Sequence, residues 1–156
     1  MNTPERVADY PRPPRIEPVA LSVRVMFAGR EIARTDRALR ILETYHPPSY
    51  YLPPDAFVAG VLQPEAGSSF CEWKGHARYW SVRANGQMAQ RCGWSYPQPT
   101  AAYAALSDHV ALYAGAMEAC FAGDEQVRPQ PGGFYGGWIT ANLIGPFKGG
   151  PGTEFW

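Results

Sequence analysis

The sequence predicts a mainly β protein made of compact antiparallel sheets, in an open-barrel-like or sandwich-like arrangement with one short helix. Three observations support this fold class. Short segments alternate apolar and polar residues, turn residues are frequent (16 Gly and 16 Pro), and long segments with helical periodicity are lacking. The 156 residues can bury one hydrophobic core. We therefore expect a single β domain over residues 18–156, preceded by a Pro-rich extended arm over residues 1–17.

Two β-hairpins are predicted from alternation and turn chemistry. Residues 20–27 alternate and are followed by Ala28-Gly29 and by the short segment 31–35, which is long enough to be the partner strand. Residues 77–84 and 87–94 flank Asn85-Gly86, a pair that favours a type I′ turn because both positions need positive φ. Segment 37–44 is compatible with a helix or a strand, and the β-prone residues that follow it favour a strand.

The second half of the chain contains the only helix that the pattern predicts. Residues 99–108 open with proline and contain several alanines, which favours a short helix. Residues 109–113 and 117–121 are interpreted as two strands of another hairpin around Gly115. From residue 130 the chain is rich in Gly, Pro and aromatic residues. Because so many aromatic side chains need burial, we predict that this C-terminal tail is ordered and packs on the sheet.

Composition makes several functional classes improbable. Lys plus Arg and Asp plus Glu both total 14, so the net charge is zero, which argues against nucleic acid or an anionic membrane as the partner. The arginines at 30, 34, 37 and 40 are more typical of a solvated face than of a binding patch. Three widely spaced cysteines suggest a reducing compartment, and no apolar run is long enough for a transmembrane helix. We expect a cytoplasmic protein.

Metal and cofactor chemistry find little support in the motifs. Paired CxxC elements are absent, and Cys71 and His76 are the nearest Cys–His combination, so we predict no metal site and no cofactor. Cys71 and Lys74 are weak catalytic candidates, because a nearby cation favours the reactive thiolate. The segment around Lys148 resembles a phosphate-binding loop only superficially, since no helix follows it.

A binding pocket is the best-supported type of site. Three segments, residues 71–75, 94–97 and 134–138, combine large aromatic residues with glycine or a charged residue. Pockets are mostly apolar with a few placed polar groups, which this composition matches. The alternative is that these aromatic residues only fill the core.

Five stretches of the sequence resemble a bacterial family of uncharacterised proteins, the domain of unknown function 427. They are VRVMFAGREIARTDRALRILETYHPPSYYLP, SSFCEWKGHARYWSV, WSYPQP, DHVALYAGAMEACFAGDEQVRPQPGGFYGGWIT and GPFKGGPGTEFW. The resemblance covers about residues 20–156. It implies a β-tent-like fold, in which two antiparallel sheets pack at an angle. Some tent proteins bind zinc through two CxxC pairs, which this sequence lacks. A nucleotidyltransferase label is sometimes attached to the family, but no residues here support that chemistry.

The resemblance also implies a set of site residues. The family's motif positions correspond to Glu43, Tyr51, Cys71, Lys74, Gly75, Trp94, Tyr96, Gly137, Trp138 and Lys148. Brought together at one mouth of the sheets, these residues would form a pocket that is both polar and aromatic.

We therefore expect a non-enzymatic module that binds a small molecule or a peptide. Trp73, Trp94 and Trp138 would form its walls. Lys74 and Glu43 would supply charge, and Cys71 would line the pocket or respond to redox conditions. Two alternatives stay open. One is a transferase, for example of the nucleotidyltransferase type, that uses Cys71 or Lys74. The other is a protein-interaction module with an exposed apolar patch.

Overall fold

The structure is a computed structural model that describes residues 3–150, 152–153 and 156, and this part of the chain is mainly β, as predicted. Its strands, in chain order, are β1 (Glu5–Arg6), β2 (Arg15–Pro18), β3 (Val23–Phe27), β4 (Arg30–Thr35), β5 (Leu39–Leu42), β6 (Ser49–Leu52), β7 (Leu62–Cys71), β8 (Gly75–Ala84), β9 (Gln87–Ser95), β10 (Val110–Leu112), β11 (Ala119–Ala122), β12 (Glu125–Gln126), β13 (Arg128–Pro129), β14 (Trp138–Ile139) and β15 (Leu143–Ile144). Short 3-10 helices span Val7–Asp9, Pro54–Ala56, Ala101–Leu106 and Ala114–Ala116.

Two antiparallel sheets make up most of the fold. The larger sheet has seven strands in the order β2-β5-β6-β10-β9-β8-β7, and the smaller has four in the order β12-β11-β3-β4. β1 pairs with β15, and β13 pairs with β14, as two-stranded additions. Both larger sheets have free outer strands, so neither closes into a barrel. Among the described residues, no helix is both long enough and apolar enough to cross a bilayer.

The main hydrophobic core contains one face of each sheet. On β3, Val23 and Val25 are fully buried, and on β6 the same is true of Tyr50 and Leu52. Because strand side chains alternate between faces, Tyr51 lies on the opposite face of the larger sheet. That face carries a second, smaller cluster of buried residues. The larger sheet is therefore covered on both sides.

The two hairpins predicted from local turn residues are confirmed. Ala28 and Gly29 connect β3 to β4 with φ of 52° and 78°, and Asn85 and Gly86 connect β8 to β9 with φ of 49° and 76°. Two consecutive positive φ values are the signature of a type I′ turn. The ambiguous segment 37–44 contains strand β5, in agreement with the favoured interpretation.

The predicted hairpin around Gly115 is wrong, although both of its strands exist. β10 pairs with β6 and β9 in the larger sheet, whereas β11 pairs with β3 and β12 in the smaller one. All three residues of β10 are buried, which requires a central position that a two-stranded hairpin cannot provide. The 3-10 turn Ala114–Ala116 redirects the chain between the sheets.

The predicted helix near 99–108 is confirmed as a short helical segment, with narrower limits. It is the 3-10 helix Ala101–Leu106, and the backbone of Tyr103 departs from helical geometry within it. Tyr103 and Leu106 are buried in the smaller cluster, so tertiary packing fixes this segment.

The N-terminal segment differs from the predicted arm. Residues 1 and 2 lie outside the described part, but β2 pairs along its length with β5, and Val7 is fully buried. Besides this strand pairing, the segment is attached through Arg40 on β5, which is 4% exposed. Arg40 Nη2 binds carboxylate oxygens of Glu17 at 2.6 Å and of Glu5 at 3.0 Å. A cation on the sheet thus binds two carboxylates of this segment, and the sequence pattern gave no sign of this pairing.

The described part of the C-terminal tail is ordered and packs on the larger sheet, as expected. Residues 151, 154 and 155 lie outside the described part. The indole N–H of Trp138 donates to the carbonyl oxygen of Leu112 at 2.9 Å, and the main-chain N–H of Lys148 donates to that of Tyr45 at 2.8 Å. The first bond fixes the tail at Trp138, which lies in the main core, and the second fixes it beside the loop between β5 and β6.

Candidate functional site

A row of side chains in register forms the floor of the candidate site. Tyr51 on β6 is opposite Ala111 on β10, Ala111 is opposite Trp94 on β9, and Trp94 is opposite Tyr79 on β8. Residues opposite each other on adjacent strands share a face of the sheet. The row therefore presents three large aromatic side chains with one small residue among them. All of them lie on the face turned away from the main core.

The small residue in this row allows its neighbours to meet. Across Ala111, the indole N–H of Trp94 donates to the hydroxyl of Tyr51 at 3.0 Å, and the two rings meet edge to face at 6.2 Å. Burial raises the pKa of the Tyr51 hydroxyl and also that of Tyr96, so both stay protonated at neutral pH. The floor is a rigid, neutral set of rings with hydroxyl groups.

The hairpin turn between β7 and β8 forms one wall. It carries Trp73 and Lys74, and Thr100 holds it in place. The Thr100 main-chain N–H donates to the carbonyl oxygen of Lys74 at 3.1 Å. The Thr100 hydroxyl donates to the carbonyl oxygen of Trp73 at 2.5 Å. Gly75 leaves the turn with φ of +106°, a conformation that residues with a side chain rarely adopt. The motif CEWKG thus fixes the direction in which Lys74 enters the site.

The tail forms the opposite wall. Gly136 lies so close to the ring of Trp94 that a Cβ atom at this position would be 2.2 Å from the indole. Tyr135 packs edge to face on His46 at 4.8 Å, and its ring lies 5.3 Å from the ammonium of Lys148. The absence of a side chain at Gly136 is therefore what lets the tail lie flat over the sheet.

Between these walls is a cavity of about 430 Å³. Its lining combines aromatic rings with two lysines, two glutamates, one histidine and one cysteine. Volumes of this size are typical of small-molecule sites. Phe70 and Phe134 are also lining residues, and they are 67% and 75% exposed.

The two lysines of the cavity have different surroundings. The ammonium of Lys148 donates to the main-chain oxygen of Trp156 at 3.1 Å. Lys74 is only 8% exposed, and its ammonium lies 5.8 Å from the centre of the Tyr96 ring. Within the described part of the chain, Lys74 forms no salt bridge and no side-chain hydrogen bond.

His46 adds a titratable group to the same cavity. Its Nε2 lies 3.9 Å from a carboxylate oxygen of Glu43, and its Nδ1 lies 3.2 Å from the amide nitrogen of Gln130. Burial lowers the pKa of His46, and the positive charge of Lys148 contributes in the same direction, while Glu43 opposes them. The imidazole is consequently neutral at pH 7.

Most residues predicted for the site line this one cavity, although the sequence scatters them over more than 100 positions. Those that line it are Glu43, Tyr51, Cys71, Trp73, Lys74, Trp94, Tyr96 and Lys148. Gly75 and Gly137 do not line it, but each positions a wall. Gly75 ends the hairpin turn, and the N–H of Gly137 donates to the side chain of Gln130 at 3.0 Å.

Trp138 does not line the cavity either, and its predicted role as a wall is wrong. It is fully buried in the main core, where its ring stacks on Tyr50 at 4.9 Å. Tyr50 and Tyr51 point to opposite faces of the sheet, so a ring that stacks on Tyr50 cannot reach the cavity. Trp138 anchors the tail, and its neighbours Tyr135 and Gly136 reach the site instead.

Sequence reasoning missed several lining residues, chiefly His46, Tyr79, Tyr113 and Gln130. Tyr79 had a usable signal, because it lies two residues from Ala77 on a strand that the sequence predicts, and the two side chains therefore share a face. Gln130 had none, since an isolated glutamine in a Pro-rich segment has no periodicity that would assign it to a site.

The thiols also differ in environment. Cys71 is partly exposed and lines the cavity, whereas Cys92 and Cys120 are buried. Burial raises the pKa of Cys92 to about 11 and that of Cys120 to about 12.

Among the residues that the structure describes, no group of His, Cys, Asp and Glu side chains has a metal-binding arrangement.

Fold and site together define a class: a mainly β protein with an aromatic-walled, partly charged cavity on the outer face of its larger sheet. The sequence profile of a family described as domain of unknown function (DUF427) matches residues 15–123, and the chain belongs to this family. No curated protein matches the chain. The family match includes Glu43, Tyr51, Lys74 and Trp94, whereas the tail segment that completes the cavity follows the matched residues.

Proposed function

We propose that this protein binds a small organic molecule in the cavity between the CEWKG turn and the C-terminal tail. The observation that carries the proposal is the convergence of Tyr51, Trp94 and Tyr96 with isolated charged side chains around a volume of about 430 Å³. Binding sites for small molecules combine apolar walls with a few polar groups in this way.

The rigidity of the walls supports binding over simple packing. Trp94 is held from below by its hydrogen bond to Tyr51 and from above by contact with Gly136. Side chains that are already fixed lose little conformational entropy when a ligand arrives, so their contact area is used efficiently. A flat apolar molecule is the kind of ligand that such rings favour.

The rim suggests how a ligand or an extended peptide would enter. Phe70 on β7 and Phe134 in the tail are exposed, and both also line the cavity. Large exposed aromatic residues around a cavity are typical of recognition surfaces.

Cys71, Cys92 and Cys120 are free thiols, which supports the proposal that the protein works in the reducing cytoplasm.

A pair of tryptophan substitutions tests the site. Ser69 and Ser68 are adjacent exposed residues on β7, but only Ser69 lines the cavity. Wild-type protein is screened by thermal shift against nucleotides, amino acids, sugars, flavins and aromatic acids. At 100 times the dissociation constant, a ligand stabilises by about 2.7 kcal/mol, or about 5 °C or more for a domain of this size.

A ligand of this cavity loses its shift in Ser69→Trp, which fills the mouth, and keeps it in Ser68→Trp, whose side chain projects from the other face. A shift that survives in both variants assigns the ligand elsewhere and contradicts the proposal. A screen without any shift contradicts it as well, and a pull-down with the intact protein would then examine the protein-interaction alternative.

A second candidate, a transferase, is favoured by one observation: Cys71, Lys74 and the Glu43–His46 pair share the cavity. Cys71 would be the nucleophile, and Lys74 would serve as an acid–base group. This candidate requires that Cys71 react with iodoacetamide at pH 7 faster than a model peptide thiol, and that Lys74→Met slow the reaction. A rate equal to that of the peptide argues against it.

A further inference from the structure

We propose that the cavity takes an aromatic carboxylate and that Lys74 is the counter-ion of its carboxyl group. This inference rests on the proposed function, because it names the chemical class of the ligand for the same cavity.

The first step concerns the ammonium of Lys74. The side chain is about nine-tenths buried, and within the described residues its only close interaction is the Tyr96 ring, 5.8 Å from Nζ. No fully buried side-chain nitrogen or oxygen of the described residues lacks a hydrogen-bond partner. The ammonium makes no such bond, so it must retain access to solvent, and the space that it faces is the cavity.

The second step compares Lys74 with the other buried cation of the larger sheet. Arg40 is equally buried, but it binds the carboxylates of both Glu5 and Glu17. Partial desolvation of an ammonium without an anion beside it is costly, because little of the lost hydration is replaced. One aromatic ring at 5.8 Å replaces only a small part of that hydration. An anion that enters the cavity would supply the missing partner.

The third step distinguishes a carboxylate from a phosphoryl group. None of the lining residues that the structure describes is an arginine, and the second lysine, Lys148, already binds the main-chain oxygen of Trp156. A phosphate dianion needs several donors, and the carboxylates of Glu43 and Glu72 in the same lining would repel its second charge. One ammonium matches one carboxylate.

The fourth step concerns the rest of the ligand. Lys74 follows Trp73 directly, and the ring of Tyr96 lies under its ammonium. Beyond Tyr96, the floor continues through Tyr51 and Trp94. A carboxylate held by Lys74 would therefore lay the attached group on aromatic surface. An aromatic body uses that surface best, through offset or edge-to-face contacts.

Matched pairs of probes test the inference: benzoate with benzamide, 2-naphthoate with 2-naphthamide, and indole-3-acetate with indole-3-acetamide. Members of a pair have nearly the same shape and differ in charge. Dissociation constants are measured by ligand-observed NMR for wild type, Lys74→Met, Lys74→Arg and Arg37→Met. The last variant removes one positive charge at an exposed residue outside the cavity.

For wild type, Arg37→Met and Lys74→Arg, we expect at least one carboxylate to bind about tenfold more tightly than its amide. In Lys74→Met the ratio should fall to about one while the amide still binds. Equal binding of acid and amide to wild type, or a preference that persists in Lys74→Met, overturns the carboxylate inference and leaves the proposed function standing. Failure of all six probes to bind wild type counts against both.

Discussion

The side-chain amide of Gln130 donates to Nδ1 of His46 at 3.2 Å, and this contact fixes the tautomer of the imidazole. The orientation of the amide is determined by its other bonds. Its oxygen accepts from the N–H of Gly137 at 3.0 Å, and its nitrogen donates to the carbonyl oxygen of Lys148 at 2.8 Å. Nδ1 must then be the acceptor, and the proton of neutral His46 is on Nε2, which faces Glu43.

This arrangement predicts that acid weakens the fold through His46. A second proton on Nδ1 would face the Gln130 amide, and burial already holds the pKa of His46 below its ordinary value. As pH falls, the unfolded chain takes up this proton before the folded protein does. The stabilisation is thus complete above about pH 6.5 and is lost as pH falls through the lowered pKa of His46.

Urea unfolding of wild type and His46→Asn at pH 7.5 and pH 5 checks this prediction. Asparagine offers an oxygen in place of Nδ1 and does not titrate in this range. The stability advantage of wild type should shrink toward pH 5. An NMR titration that gives His46 a pKa at or above 6.5 would contradict the argument.

The close approach of Gly136 to Trp94 predicts a large cost for adding one methyl group. In Gly136→Ala the new Cβ would be 2.2 Å from the indole, so the tail or the ring must move. We expect a loss of about 1–3 kcal/mol in the free energy of unfolding and a change in tryptophan fluorescence. Gly150→Ala is the control, because no atom in the described part of the chain lies within 4 Å of its added Cβ, and it should change stability by less than about 0.5 kcal/mol. Equal effects from both substitutions would refute the packing argument.

Arg40 and Arg37 allow the contribution of a buried ion pair to stability to be compared with that of an exposed one. Arg40→Met leaves the carboxylates of Glu5 and Glu17 without their shared cation, and we expect a loss of about 3 kcal/mol. Arg37→Met removes an exposed pair with Asp55, for which a loss below about 1 kcal/mol is expected. Chemical denaturation of both variants measures the difference. If Arg40→Met unfolds at the wild-type midpoint, the N-terminal segment is not held by this cation.

The thiols should react in an order set by exposure. Cys71 lines the cavity and is partly exposed, whereas Cys92 and Cys120 are buried, with pKa values raised by burial. At pH 8, iodoacetamide should label Cys71 at least about tenfold faster than the other two, as read by mass spectrometry of the peptides. Urea should abolish the difference. Labelling of Cys92 before Cys71 would contradict the described packing of β9.

The sequence by itself determined the features that depend on neighbouring residues. The β3–β4 and β8–β9 hairpins follow from turn residues that accept positive φ, and the strand faces follow from alternation. The family resemblance singled out residues of the cavity, including Glu43, Tyr51 and Lys74. These are conclusions about single segments or about residue identities, for which local information is sufficient.

Tertiary structure decided which segments meet. The turn after β10 could have closed a hairpin, but Val110 and Leu112 are buried on one face and Ala111 on the other, which places that strand at the centre of the larger sheet. The segment 3–18 is attached through its pairing with β5 and through Arg40, which is 23 residues from Glu17 and 35 residues from Glu5. Trp138 was assigned to the cavity, yet it stacks on Tyr50 and not on Tyr51. Pairing between distant strands and the choice between two buried faces depend on the whole core, so no local pattern in the sequence could fix them.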